Sequence, residues 1–173
     1  TGSWTRIAAG FSNSLAINST DSKIYGWGSG FATNNLGYTP KSWSQVDGGS
    51  SFSTAIRSDG LLFAWGRNDL GQLGDGTTIN KSSPVQIGND SWSKIGGGTT
   101  TTGTGHTLAT NSTGILFAWG LNSQGQLGDG TSINRSSPVV VTTVNFPTGN
   151  SWIQLAIGDT HSVALEANGG IYV

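Results

Sequence analysis

Two histidines and two aspartates are the side chains of this 173-residue sequence whose type and spacing could do chemistry. His106 and His161 lie 55 residues apart, and Asp75 and Asp129 lie 54 apart in matching Gly-Asp-Gly-Thr loops. Histidine serves as a general base or a metal ligand near neutral pH. Two histidines are too few for a usual zinc site, however. The position that His106 and His161 share holds Asn13 and Phe52 elsewhere in the chain, so the slot accepts an amide or an aromatic ring. Packing with a local hydrogen bond is the expected role. The aspartate loops look like fragments of calcium loops, but calcium takes roughly six to eight oxygens and each loop offers one carboxylate. Structural loops, with Asp accepting from nearby N–H groups, are expected instead. Glu166 is the only glutamate and falls where a hairpin turn is expected, with no partner for paired-carboxylate work. No Gly-x-Ser-x-Gly elbow, phosphate loop or dinucleotide fingerprint occurs. No catalytic residue, cofactor or metal is expected.

Composition narrows the partners. Lys and Arg number 8 and Asp and Glu 9, a net charge of −1 with 10% charged residues. That balance carries no electrostatic footprint for nucleic acid or an anionic membrane. No apolar run reaches the ~18 residues of a spanning helix. Absence of Cys excludes disulfides, thiolate metal sites and cysteine nucleophiles. With no Met, residue 1 is not an initiator, and a segment of a longer polypeptide is expected. The 28 Gly and abundant Ser, Thr and Asn would suit disorder, but 7 Trp and 6 Phe supply large side chains to bury.

Those tryptophans are periodic. Leu61-Leu62-Phe63-Ala64-Trp65-Gly66 recurs as Ile115-Leu116-Phe117-Ala118-Trp119-Gly120, at an offset of 54. The same offset relates the Gly-Gln-Leu-Gly-Asp-Gly-Thr stretches at 71–77 and 125–131. A worn copy runs Lys23-Ile24-Tyr25-Gly26-Trp27-Gly28. A second landmark begins at Trp4, Trp43, Trp92 and Trp152, so all seven tryptophans fall on two repeat positions and are expected to be buried between strands or blades. The units run at about 3–40, 42–88, 91–144 and 151–173, the last incomplete. Each reads as four short strands, with Asp-Gly or Asn-Gly turns suited to hairpins and the fourth strand opening on a proline. No helical periodicity is present, so the fold class is all-β, and a period near 50 belongs to propellers and arrays.

The combination Trp119-Gly120-x-Asn122-x-x-Gly125-Gln126-Leu127-Gly128-Asp129-Gly130-Thr131, with Gly158-x-x-His161-Ser162-x-Ala164-Leu165, resembles the repeat of the regulator of chromosome condensation (RCC1) family. The resemblance covers essentially the whole chain. It implies a β-propeller of four-stranded antiparallel blades, seven in the complete family member, of which this segment supplies about three and a half. The family's namesake activity is nucleotide exchange on a small GTPase, and no residue here can be matched to exchange residues. A non-catalytic scaffold binding protein partners in a larger extracellular or virion assembly, such as a phage appendage, is the main expectation from composition. The exchange factor is one alternative and a carbohydrate-binding propeller for surface glycans another. Residues left over for contact are Tyr38, the insertion around Thr100, Thr101 and Thr102, and the insertion holding Asn145 and Phe146, because loops on a repeat framework commonly carry recognition.

Overall fold

The computed structural model describes residues 3–11, 13–28, 42–98, 105–142 and 152–173. Tyr38, Thr100, Thr101, Thr102, Asn145 and Phe146 lie outside these residues. Four antiparallel meanders follow one another along the chain. The first holds β1 (Trp4–Ala9), β2 (Asn13–Asn18) and β3 (Ile24–Gly28). The second holds β4 (Trp43–Gly48), β5 (Phe52–Arg57), β6 (Leu62–Gly66) and β7 (Lys81–Gln86). The third holds β8 (Trp92–Gly97), β9 (His106–Asn111), β10 (Leu116–Gly120) and β11 (Arg135–Val140). The fourth holds β12 (Trp152–Ile157), β13 (Ser162–Glu166) and β14 (Ile171–Tyr172). This is an all-β propeller segment whose sheets stack as blades.

One register serves all four blades. The first-strand tryptophan pairs with the end of the second strand in each: Trp4 with Asn18, Trp43 with Arg57, Trp92 with Asn111 and Trp152 with Glu166. A register shift follows directly after each of these tryptophans. Such a bulge re-aims the side chain, here onto the preceding blade. The first strands β1, β4, β8 and β12 touch in succession. They approach so closely that a Cβ on Gly10 would sit 2.0 Å from the Gly49 carbonyl oxygen. Only glycine tolerates that contact between neighbouring backbones.

Two local expectations are corrected. Pro84 and Pro138 lie inside β7 and β11 rather than opening them. Both are edge strands, where a missing N–H breaks no ladder, and the register shift in each pairing accommodates the ring. Glu166 is the last residue of β13, buried, and accepts from the Tyr172 hydroxyl at 3.2 Å, so it is not a turn residue.

The core is divided among the blade junctions. Leu15, Ile17 and Ile24 meet Trp43, Ala55, Phe63 and Trp65 at the first. Phe52, Ile56, Leu62, Leu73 and Ile87 meet Trp92, Ile95, Ala109 and Trp119 at the second. Leu108, Leu116, Ala118 and Leu127 meet Trp152 and Ala164 at the third. Each of these junctions thus joins a leading face carrying tryptophan to a trailing, largely aliphatic face. Full burial of one such side chain is worth about 1.5–3 kcal/mol. This rule corrects the expectation that all seven tryptophans are buried. Trp4 is 48% and Trp27 49% exposed, because both sit on the leading face of the first blade, which meets no described blade. Trp4 instead packs edge-on against Tyr25, 5.4 Å between ring centres.

Candidate interaction surface

The long loops after β6 and β10 are built around one buried asparagine each. Asn68 Nδ2 donates to Asp75 Oδ1 at 3.0 Å and to the carbonyls of Thr77 and Ile79, while its Oδ1 accepts from Leu73 N at 3.0 Å. Asn122 repeats this with Asp129, Thr131, Ile133 and Leu127. Each loop's aspartate is saturated by the protein. Asp129 Oδ1 accepts from Thr131 N, Thr131 Oγ1 and Asn122, and Oδ2 accepts from Arg135 Nε at 2.7 Å. Asp75 has the same Oδ1 donors, and Lys81 stands 3.1 Å from its Oδ2. Burial works to raise the Asp129 pKa, but the bonds from Thr131, Arg135 and Asn122 outweigh it and bring it down to about 2. These aspartates lock loops, and a calcium ion would have to displace the cation already present.

Locked in this way, both loops hold an isoleucine in water. Ile79 is 65% and Ile133 62% exposed, at equivalent positions on adjacent blades. Sequence reasoning passed over them; the available signal was an aliphatic residue kept at the 54-residue offset inside otherwise polar loops.

His106 forms a polar hook between blades. Its ring is fully buried, and Nε2 lies 2.7 Å from Ser162 Oγ on the fourth blade. Ser162 Oγ donates to the Gln126 carbonyl at 2.9 Å, so it accepts from Nε2–H. A serine beside a histidine suggests a nucleophile and its base, but the serine proton already points to Gln126 and not to the imidazole. Nδ1 is buried without a partner among the described residues. Burial first, and then the charge of His161, lower the His106 pKa to about 4. The equivalent Asn13 Nδ2 donates to Ser53 Oγ at 3.2 Å, and Phe52 fills the slot apolarly. His161 lies exposed on the fourth blade.

A histidine held neutral in the fold and ordinary in the unfolded chain stabilises above pH 6.5 and loses that advantage as pH falls toward 4. The loss is on the order of 3 kcal/mol. His106→Phe, copying the Phe52 slot, is therefore expected to flatten the stability profile between pH 6.5 and 4 in urea titrations. An unchanged slope would show that another group carries the acid sensitivity.

Among the described residues no group of three or more His, Asp or Glu is placed to hold a metal. Among the described residues no helix is long and apolar enough to cross a membrane. Known proteins agree with the repeat reading. The sequence profile of the regulator of chromosome condensation (RCC1) repeat matches residues 59–109 and 113–165, and a second RCC1 repeat profile matches 43–72. The chain is 39% identical over 98 residues to the ultraviolet-B receptor UVR8 of Arabidopsis thaliana, covering 57% of this chain and 22% of the receptor. Human WBSCR16 superposes with a TM-score of 0.79 at 22% identity, over 95% of this chain and 45% of that one. Prp20p of Saccharomyces cerevisiae, whose structure was described with its binding to Gsp1p and histones, superposes at 0.77 with 23% identity, over 98% of this chain and 42% of that one. The chain thus spans under half the length of these relatives. With matched profiles over more than half its residues and the tryptophan register conserved from blade to blade, the chain belongs to the RCC1 repeat family.

Proposed function

We propose that this chain is part of a non-catalytic, regulatory interaction propeller whose partner is a small GTPase of the Gsp1p kind. The observation that carries this reading is the pair of locked loops presenting Ile79 and Ile133 to solvent side by side in the repeat order. Exposed aliphatics on rigid loops are suited to bind protein, because little ordering entropy is lost on contact. Prp20p, a structural relative, is described with binding to Gsp1p and histones, which directs the choice of partner. The extracellular or virion scaffold expected from composition is the second reading. Glycan binding would need presented aromatic rings. The half-exposed Trp4 and Trp27 occupy positions whose counterparts pack between blades, which weighs against that role.

Binding of nucleotide-free and GDP-loaded Gsp1p to the immobilised chain tests the proposal. The nucleotide-free form is expected to bind, and Ile79→Asp with Ile133→Asp to weaken it by about tenfold or more while leaving the melting temperature in place. No binding in either nucleotide state by a folded chain would refute it.

A further inference from the structure

Five positions set an aspartate or asparagine directly before glycine: Asp47–Gly48, Asp59–Gly60, Asp75–Gly76, Asp129–Gly130 and Asn168–Gly169. In such a pair the glycine nitrogen can attack the side-chain carbonyl carbon and close a five-membered succinimide, because glycine lets the backbone approach closely. An ionised carboxylate resists this attack, since oxide would have to leave.

The aspartates are guarded. Arg57 Nε and Nη2 donate to Asp59 at 2.9 and 2.8 Å. Lys81 lies 3.1 Å from Asp75, and Arg135 lies 2.7 Å from Asp129. A cation so close favours the ionised form. Asp47 stands inside β4, where Gly48 is buried and paired with Ser53.

Asn168 has none of these protections. It is exposed in the turn between β13 and β14, and its Oδ1 accepts from Gly170 N at 2.8 Å. That bond folds the side chain over the Gly169 peptide and polarises the carbonyl to be attacked. Gly169 has φ 93°, and a Cβ there would meet nothing within 4 Å. Its N–H donates to the Glu166 carbonyl at 3.0 Å, and an exposed turn bond of this kind opens at little cost.

We infer that Asn168–Gly169 is a self-modification site, at which Asn168 deamidates to aspartate or isoaspartate and thereby loosens the β13–β14 hairpin. Gly169 N gives up its proton to solvent and bonds to Cγ of Asn168; the Cγ–Nδ2 bond breaks and ammonia leaves. Water then opens the succinimide at either carbonyl. Water is the co-reactant, and the net products are a carboxylate and an ammonium ion. The new carboxylate arises beside an existing carboxyl group: a Cβ on Gly170 would lie 3.1 Å from Asn168 Oδ1 and 3.2 Å from Glu166 Oε2. Like charges so placed repel. The isoaspartate form also lengthens the turn backbone by one methylene, which disturbs the pairing of Leu165 with Ile171 and of Ala164 with Tyr172. The inference is independent of the GTPase reading.

Peptide mass mapping of the chain aged in mildly alkaline buffer, folded and in urea, tests it. In the folded chain Asn168 is expected to convert about tenfold or more faster than any other asparagine. The converted chain is expected to exchange its amide hydrogens faster across β13 and β14 than the fresh chain. Asn168→Ser keeps a side-chain oxygen for the Gly170 bond and is expected neither to gain mass nor to loosen on ageing. The proposal is overturned if Asn168 stays intact in the folded chain while converting in urea, if another asparagine converts first, or if conversion leaves the hairpin exchange unchanged.

Discussion

Trp119→Ala is expected to destabilise the chain by about 3–5 kcal/mol. The side chain is fully buried, donates to the Gln72 carbonyl and packs edge-on with Trp92, 5.9 Å between ring centres. Its removal opens a cavity at the junction of the second and third blades. Domains of this size are stable by only about 5–15 kcal/mol, so the variant approaches the limit of folding. Trp27→Ala is the control, because it occupies the same repeat position but is half exposed. A cost of about 1 kcal/mol or less is expected for it, in keeping with surface substitutions. Urea denaturation of the two variants gives both numbers, and equal costs would contradict the junction rule.

The second large effect concerns a polar residue. Asn122→Ala removes one side chain that serves Leu127 N, Asp129, and the carbonyls of Thr131 and Ile133. Leaving a buried donor or acceptor unsatisfied costs about 1–3 kcal/mol each, and several are stranded here. A loss of roughly 3 kcal/mol is expected, with fast hydrogen exchange at the Leu127 amide while the strands β8 to β10 stay protected. The Asn134 side chain accepts from Asn122 N at 2.8 Å and holds only the loop entry, so it cannot replace the hub. If Leu127 stays protected in the variant, the hub description is wrong.

The repeat made most of the fold legible. Tryptophans at one spacing and hairpin turns at another made the antiparallel units legible, because burial and turn chemistry act locally. The internal prolines of β7 and β11 were misplaced because edge status depends on which strand pairs with which, a fact of tertiary order. Exposure of Trp4 and Trp27 was missed for a similar reason: repeat position sets which face a side chain points to, not what covers that face. The His106 slot is expected from sequence to pack with a local hydrogen bond. Its partner Ser162 lies on another blade, 56 residues away, where local sequence gives no pointer. Asn68 and Asn122 stood in plain view within the motif, yet their hub role appears only when the loop closes. The candidate contact residues Tyr38, Thr100 to Thr102, Asn145 and Phe146 lie outside the described residues and stay proposals.

Indole N–H exchange measured by NMR for all seven tryptophans tests the account most directly. Slow exchange is expected for the buried Trp43, Trp65, Trp92, Trp119 and Trp152, slowest where Nε1 is bonded, as in Trp119 to Gln72 O and Trp152 to Gly114 O. Trp4 and Trp27 should exchange close to the rate of a free indole. Seven similar rates, or protection of the first-blade pair with rapid exchange at Trp119, would contradict the stacking of tryptophan faces on their preceding blades.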